Sequence, residues 1–223
     1  SWAFASLLFE RFGRGAGGFA LNLIKCSVAL AMYLPTLLVL GGSQGARGLN
    51  TKVLEALPSC RDLPFQVLHV AGPDDFERVS RGYDAGGLPG RGVAFLPDTG
   101  RAYSVADLLL ARSGASTVAE CALLGRPAVF VPYPWHKDRQ QARNAAALER
   151  AGAARILEEI DLDGPALRRI VTELLLDGAR RAAMAAAAAA HGRPGAARDM
   201  AAHLLESVGE AIRQPAWTTE LGE

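Results

Sequence analysis

Residues 36–47 read TLLVLGGSQGAR and set the class of the structure. The apolar run over 36–40 is typical of a strand buried on both faces of a parallel sheet. A helix is predicted over 46–57, so the glycine-rich turn joins a strand to a helix. Glycines let a backbone approach a ligand closely, and a helix N-terminus offers N–H groups to an anion. The turn is a candidate phosphate site, with a plain tight turn as the alternative, because it matches neither GxGxxG nor GxxxxGKS/T.

The alternation of apolar runs and helical segments continues along the chain. We predict further strands at 65–71, 93–96, 108–112, 127–131 and 154–157, and further helices at 74–81, 116–124 and 138–151. From residue 163 the chain is predicted to be helical, with an alanine-rich stretch of high helix propensity at 182–190, a break at 191–195 and a last helix at 196–213. This pattern predicts an α/β fold with a Rossmann-like, doubly wound parallel sheet and C-terminal helices. Such sheets bind ligands outside the carboxyl ends of their strands.

A second candidate loop, Ala111–Glu120, also leads from a strand into a helix and carries Ser113, Ser116 and Thr117. Their hydroxyls can cap the helix and can also donate to a diphosphate. Glu120 lies about one helical turn after Ser116, where a carboxylate could accept both hydroxyls of a ribose. The alternative is an ordinary capped helix with an exposed glutamate.

A third candidate loop reads VPYPWHKDRQQARN and ends at Asn144. Gln140 and Asn144 are four residues apart, and Gln141 sits beside them. Neutral amides grouped in this way suit sugar hydroxyls, because each amide both donates and accepts hydrogen bonds. His136 and Lys137 are expected to face a phosphate. The alternative is a solvated helix start, although three polar loops at successive strand ends are less readily explained in that way than one.

The composition is that of a globular chain. Half of its 223 residues are hydrophobic and 21% are charged, so a sizeable core can be buried. Lys and Arg number 24 against 23 Asp and Glu, which leaves a net charge of +1. Broad electrostatic binding to nucleic acid needs a surplus of positive charge, so we expect no nucleic-acid partner. The three cysteines, Cys26, Cys60 and Cys121, form no disulfide or CxxC pattern, which favours a reducing compartment.

The chain divides into three parts. Residues 1–34 are an apolar, Gly/Arg-rich segment without an assigned fold, 35–213 form the α/β domain, and 214–223 are expected to be a flexible tail. The apolar run over 19–40 is interrupted by Lys25 and Pro35, which leaves too short a stretch to cross a bilayer. The first residue is Ser1 rather than methionine, so the chain is expected to be a fragment.

Three motifs carry a family resemblance: GGSQGAR at 41–47, RSGASTVAE at 112–120 and HKDRQQARN at 136–144. In their order and spacing, from about residue 35 to about residue 205, the chain resembles the carboxyl-terminal domain of the bacterial peptidoglycan N-acetylglucosaminyltransferases of glycosyltransferase family 28. The resemblance implies the C-terminal half of a GT-B fold, in which two Rossmann-like domains face each other across a cleft. The C-terminal domain holds the nucleotide sugar.

The resemblance also implies which residues bind the donor, UDP-GlcNAc. They are Ser43, Gln44, Gly45, Leu96, Arg112, Ser116, Thr117, Glu120, Gln140, Gln141 and Asn144. The first three and the helix start at Ser116 would contact the diphosphate, while the main chain of Leu96 would meet the uracil. Glu120 would bind the ribose hydroxyls, and the three amides would bind the GlcNAc hydroxyls. Arg112 lies in the motif without a defined role.

The implied reaction is an inverting hexosyl transfer of GlcNAc to the 4-hydroxyl of the MurNAc of lipid I, which forms lipid II. It implies a protein that is cytoplasmic and peripheral at the inner face of the bacterial plasma membrane. The GGTGGH motif and the Asn-Pro-Val-Arg element of the family are absent, so the catalytic base is unknown and the isolated chain is expected to be inactive. The alternatives are a stand-alone donor-binding subunit of a two-chain transferase and a non-catalytic UDP-sugar-binding module.

Neither a metal nor a cofactor is expected. The four histidines lack the HxH and HExxH spacings of zinc sites. Residues 161–163 spell DxD, a metal–sugar motif of other transferases. They are instead predicted to form a turn in which Asp163 caps a helix.

Overall fold

The computed structural model describes residues 34–42, 45–88, 90–135 and 138–213. In this part of the chain, six strands form one parallel sheet in the order β3-β2-β1-β4-β5-β6. The strands are β1 (Thr36–Leu40), β2 (Gln66–Val70), β3 (Gly90–Val93), β4 (Leu108–Ala111), β5 (Ala128–Phe130) and β6 (Ala154–Ile156). This order confirms the predicted doubly wound sheet.

Helices connect the strands and continue beyond the last one. They are α1 (Arg47–Ala56), α2 (Phe76–Gly86), α3 (Thr99–Val105), α4 (Ala115–Leu123), α5 (Gln140–Arg150), α6 (Gly164–Ile170), α7 (Gly178–Ala189) and α8 (Ala196–Arg213). Two 3-10 turns, Leu57–Cys60 and Glu159–Asp161, and a π-helical turn, Val171–Leu175, complete the described elements. The start and end of α8 are those predicted from the sequence.

The sheet separates two apolar clusters, because successive strand residues point to opposite faces. Leu37 and Val39 belong to the first cluster, together with residues of α1, α2, α6 and α7. Leu38 belongs to the second, together with residues of α3, α4, α5 and α7. All three side chains are fully buried. Burial on both faces explains why residues 37–40 of this strand are apolar in succession rather than at alternate positions.

The third strand and the following helix differ from the sequence prediction. The strand was predicted at 93–96, but β3 is Gly90–Val93 and the chain from 94 to 98 is a loop. The prediction was wrong because it followed apolar residues, whereas β3 is an edge strand that lies tightly against β2. A Cβ atom on Gly90 would lie 2.4 Å from the carbonyl oxygen of Val67. Helix α3 was not predicted, and Asp98 caps it by accepting from the N–H of Arg101 at 3.2 Å.

The C-terminal helices follow the predicted capping chemistry. Asp163 caps α6, with its carboxylate accepting from the N–H of Ala166 at 2.8 Å, which confirms the turn predicted over 161–163. Helix α7 begins at Gly178, where Asp177 caps it through the N–H of Arg180 at 2.9 Å. No helix in the described ranges is both long and apolar enough to span a bilayer. The predictions for 1–33 and 214–223 lie outside the described residues.

Candidate functional site

The candidate site lies where the sheet changes winding direction, between β1 and β4. These two strands are neighbours, and Leu40 pairs with Ala111 at their carboxyl ends. The chain leaves β1 into α1, which packs on the first apolar cluster, and leaves β4 into α4, which packs on the second. A crevice opens at such a switch point, and ligands of doubly wound sheets bind there. The first and second candidate loops therefore meet at one place, at the carboxyl ends of neighbouring strands.

The glycine turn after β1 requires glycine for two different reasons. Gly42 has φ = 91° and Gly45 has φ = 76°, a conformation that residues with a side chain rarely adopt. A Cβ atom on Gly45 would also lie 2.4 Å from the carbonyl oxygen of Ala71 at the end of β2. The N–H of Gly45 donates to the carbonyl of Gly42 at 3.0 Å and closes the turn. Ser43 and Gln44 lie outside the described residues.

Among the described residues, no side chain caps the start of helix α1. Ala46 is its N-cap, no side-chain hydrogen bond reaches it within the described chain, and the first turn contains no acidic residue. The first intrahelical bond runs from the N–H of Asn50 to the carbonyl of Ala46 at 2.8 Å. The N–H groups of residues 47–49 therefore have no acceptor within the helix. Such free N–H groups at a helix N-terminus favour an anion.

Helix α4 begins one residue earlier than predicted and is capped differently. Gly114 is the N-cap, and none of the described side chains caps the helix. The predicted capping by Ser113, Ser116 and Thr117 is therefore wrong, because Gly114 occupies the cap and the latter two lie in the first turn. Their backbone N–H groups precede the helical ladder, which begins with the N–H of Val118. Ser113 is fully buried, and its hydroxyl has no partner among the described residues.

Glu120 is half-buried and is held by a residue that sequence reasoning did not identify. The hydroxyl of Tyr103 donates to Oε2 of Glu120 at 2.7 Å. Tyr103 lies on α3 and is 2% exposed. Burial, together with the neighbouring carboxylate, raises the pKa of the phenol well above its usual value, so it remains a donor. Glu120 is therefore not the exposed glutamate of the alternative interpretation.

Arg112 is buried and anchors the loop that follows β5. Its guanidinium donates to the carbonyl oxygens of Val131 at 3.1 Å and Pro132 at 3.0 Å. It also forms an ion pair with Glu159 and lies 5.6 Å from the ring centroid of Tyr133. These contacts give Arg112 a positioning role between the second and third loops.

Glu159 was also missed by sequence reasoning. It lies on the 3-10 turn after β6, and a Cβ atom on Gly48 would lie 2.5 Å from one of its carboxylate oxygens. The carboxylate thus packs against the first turn of α1, where a negative charge is stabilised by the helix dipole. Its partner Arg112 balances this charge at the edge of the crevice.

The three amides of the third loop are close together but are not equally available. Gln141 accepts from the N–H of Tyr133 at 2.9 Å, and Asn144 donates to the carbonyl of Ser113 at 3.0 Å. Gln140 donates to Oδ1 of Asn144 at 3.2 Å. Gln140 is exposed, whereas the other two are half-buried. The structure brings the amides together, as predicted, and gives two of them bonds to backbone groups.

The remaining predicted contacts lie at the two ends of the site. Leu96 is half-buried in the loop after β3, and no hydrogen bond within the described ranges uses its N–H or carbonyl group. The neighbouring Phe95 is 64% exposed. His136 and Lys137 lie outside the described residues. In the part of the chain that the structure describes, no three His, Cys, Asp or Glu side chains group as a metal site requires.

Comparisons with known proteins show the family to which the chain is similar. A model of the glycosyltransferase family 28 C-terminal domain matches residues 36–200. A protein from Nitratidesulfovibrio vulgaris (strain DSM 19637 / Miyazaki F) is 44% identical over 181 residues, and one from Halorhodospira halophila (strain DSM 244 / SL1) is 48% identical over 175. Both are named UDP-N-acetylglucosamine--N-acetylmuramyl-(pentapeptide) pyrophosphoryl-undecaprenol N-acetylglucosamine transferase. The matches cover 78% of this chain and 47% and 49% of those proteins, so the chain spans about half the length of these curated relatives.

A solved structure gives the same result. The crystal structure of MurG from Acinetobacter baumannii is similar with a TM-score of 0.70 and 30% sequence identity, over 78% of this chain and 52% of that chain. The fold is therefore the Rossmann-like C-terminal half of a GT-B fold.

Proposed function

The chain belongs to the glycosyltransferase family 28 C-terminal domain family, and on that premise we propose that it is the donor-binding half of an inverting N-acetylglucosaminyltransferase. Its donor is UDP-GlcNAc. The whole protein transfers GlcNAc to the 4-hydroxyl of the MurNAc of lipid I and forms lipid II in peptidoglycan synthesis. The names of the two relatives support this donor and this acceptor. The acceptor site lies in the half that this chain does not span.

The observation that carries the proposal is the meeting, at the switch point of the sheet, of two helix N-termini that no described side chain caps. Helices α1 and α4 begin directly after β1 and β4, whose ends pair through Leu40 and Ala111. A diphosphate between them is bound by backbone N–H groups of both first turns. This arrangement needs few basic side chains, which agrees with the net charge of +1.

The nucleoside and the sugar extend from the diphosphate in opposite directions. On one side, Glu120 accepts from the ribose hydroxyls, and the main chain of Leu96 meets the uracil. On the other side, Gln140 binds the GlcNAc hydroxyls, because it is the exposed amide of the third loop. Gln141 and Asn144 hold that loop in place through Tyr133 and Ser113.

The chemical task of this half is to stabilise the leaving group. The 4-hydroxyl oxygen of the acceptor attacks the anomeric carbon and forms the new glycosidic bond. The bond from that carbon to the β-phosphate oxygen breaks, and its electron pair leaves with UDP, which inverts the configuration. Oriented N–H groups at the helix starts stabilise the charge that grows on the phosphate. The proton of the attacking hydroxyl passes to a base in the other half.

The proposed location is cytoplasmic and peripheral at the inner face of the bacterial plasma membrane. The pyrophosphoryl-undecaprenol group in the names of the relatives supports this location, because an undecaprenol chain is held in a bilayer. Peripheral contact and acceptor binding are assigned to the half of the protein outside this chain.

Calorimetric titration of the chain with UDP, UDP-GlcNAc and ADP tests the proposal. We expect binding of UDP and UDP-GlcNAc and weaker binding of ADP, with no turnover when lipid I is added. Absence of UDP binding at millimolar ligand would contradict a donor-binding half. Turnover of lipid I by the chain alone would contradict the division of the enzyme into two halves.

A further inference from the structure

We infer that Tyr103 is a positioning residue for donor recognition: its hydroxyl holds the carboxylate of Glu120 in the orientation that accepts the ribose hydroxyls. The inference rests on the proposed function, in which Glu120 binds the ribose. Tyr103 lies outside the three motifs that carry the family resemblance, and its hydroxyl contacts a proposed ligand-binding carboxylate.

The direction of the hydrogen bond follows from the chemistry of the pair. An ionised carboxylate only accepts, so the phenol of Tyr103 must donate. The distance of 2.7 Å to Oε2 of Glu120 is that of a charge-assisted O–H···O bond. Burial keeps the phenol protonated, since it raises the cost of the phenolate. The donor therefore stays in place across the pH range in which proteins are studied.

The side chain of Tyr103 is held by its packing, whereas the side chain of Glu120 has more conformational freedom. The tyrosine is 2% exposed and packs in the second apolar cluster with Leu38, Leu109 and Cys121. A glutamate side chain has three rotatable bonds and loses conformational entropy when a ligand orders it. A bond to a buried phenol removes much of that freedom before the ligand arrives, so less of the binding free energy is lost on ordering.

The hydrogen bond leaves enough acceptor capacity for a ribose. A carboxylate has about four lone-pair sites on two oxygens. Tyr103 occupies one of them on Oε2, so the other oxygen and the second lone pair of Oε2 can accept from the 2′- and 3′-hydroxyls. The phenol also fixes the carboxylate about its last torsion, which decides where those acceptor sites lie.

The same helix joins the two proposed nucleoside contacts. Helix α3 begins at Thr99, three residues after Leu96, and Asp98 caps it. Tyr103 lies on the next turn and reaches across to Glu120 on α4. One buried side chain, Tyr103, thus fixes the position of the loop that meets the uracil relative to the carboxylate that binds the ribose. This relationship connects α3, which the sequence did not predict, to the site.

The test compares ligands with and without ribose hydroxyls. Tyr103→Phe removes only the phenolic oxygen, and we expect it to weaken the binding of UDP about fivefold. It should leave the binding of 2′,3′-dideoxy-UDP unchanged, because that ligand gives Glu120 nothing to accept. In the background of Glu120→Ala, Tyr103→Phe should no longer affect UDP. Calorimetry on the 223-residue chain measures each of these three effects on affinity.

Tyr83→Phe is a matched control. Tyr83 is also 2% exposed, lies on α2 on the other face of the sheet, and contacts Nδ1 of His69 through its hydroxyl at 3.2 Å. The Tyr83→Phe variant should lose stability, as Tyr103→Phe does, but it should bind UDP and 2′,3′-dideoxy-UDP with wild-type affinity. Equal weakening of UDP and dideoxy-UDP by Tyr103→Phe, or unchanged UDP binding, would overturn the inference alone. Failure of the wild type to bind UDP would overturn the proposed function and the inference with it.

Discussion

The side-chain amide of Asn144 donates to the main-chain carbonyl of Ser113 at 3.0 Å. This bond joins the helix after β5 to the loop after β4, 31 residues earlier in the sequence. The resemblance implies a sugar contact for Asn144, but its Nδ2 is bonded to the backbone and its Oδ1 accepts from Gln140. The structure therefore gives this residue a role in holding the site together.

Asn144→Ala should lower the free energy of unfolding by about 1 kcal/mol, because the carbonyl of Ser113 loses its partner. Urea denaturation of the variant and the wild type measures this loss. Gln140→Ala is the control, since Gln140 is exposed on the same helix and should leave stability unchanged. An Asn144→Ala variant as stable as the wild type would show that the bond does not support the fold.

Gln140→Ala should weaken the binding of UDP-GlcNAc by about tenfold and leave the binding of UDP unchanged. The reason is that the loss of a hydrogen bond to a sugar hydroxyl costs about 1 kcal/mol or slightly more. Calorimetry with the two ligands separates the roles, because UDP lacks the sugar. An equal loss for both ligands would be incompatible with a sugar contact at Gln140.

Glu120→Ala should weaken the binding of UDP by about 1.5–3 kcal/mol, since hydrogen bonds to a charged acceptor are stronger than neutral ones. Glu173→Ala serves as the control, because Glu173 is an exposed carboxylate that pairs with Arg155 at 3.6 Å, away from the crevice. Binding is again measured by calorimetry. Wild-type affinity in Glu120→Ala would exclude a ribose contact at this position.

Glu159→Ala should destabilise the protein by about 3 kcal/mol, because it leaves the buried guanidinium of Arg112 without its counter-ion. The chain after β5 should also become less ordered, since Arg112 holds Val131 and Pro132. Thermal denaturation and amide hydrogen exchange measure the two effects. Glu158→Ala removes the neighbouring, more exposed carboxylate and should have an effect below 1 kcal/mol.

His69 should make stability fall in acid. The imidazole is fully buried, and desolvation lowers its pKa from 6.5 to about 3. Because Asn50 already donates through Nδ2 to Ala71 and Asp75, its Oδ1 must accept from the Nε2–H of a neutral imidazole. Below pH 6.5 the unfolded state binds a proton at this histidine, whereas the folded state does not. The stability that the neutral ring contributes is therefore complete above pH 6.5, and it is lost as the pH falls toward 3.

The expected loss from His69 between pH 7 and pH 4.5 is about 2–3 kcal/mol. Urea midpoints of the wild type and of His69→Gln across this range measure it, since glutamine cannot take up the proton. His203→Gln is the control, because His203 is exposed on α8. Parallel pH profiles for the wild type and His69→Gln would contradict the assignment.

The sequence predicts the parts of this structure that depend on local pattern. The sheet, the glycine turn and the boundaries of α8 all follow from apolar runs, glycines and caps close together in the chain. Strand β3 does not follow from local pattern. Its first residue, Gly90, is required by close contact with Val67, and a glycine adds nothing to an apolar run.

The partners of the site residues could not be predicted from local pattern. Tyr103 and Glu120 are 17 residues apart, and Arg112 and Glu159 are 47 apart. The spacing of the two residues in either pair does not predict their contact. Each contact exists only because the folded sheet brings the helices and turns that carry these residues together. The sequence could thus identify the loops that the sheet brings together, but it could not identify Tyr103 or Glu159 or the bonds that they form.

Helices α1 and α4 rest on different apolar clusters, with Val53 of α1 in the first and Cys121 of α4 in the second. Helix α7 connects these clusters, since Met184 lies in the first and Ala188 in the second. The Arg112–Glu159 ion pair also links the loop after β4 to the first turn of α1. Changes made in both cores at once should therefore have non-additive effects on stability.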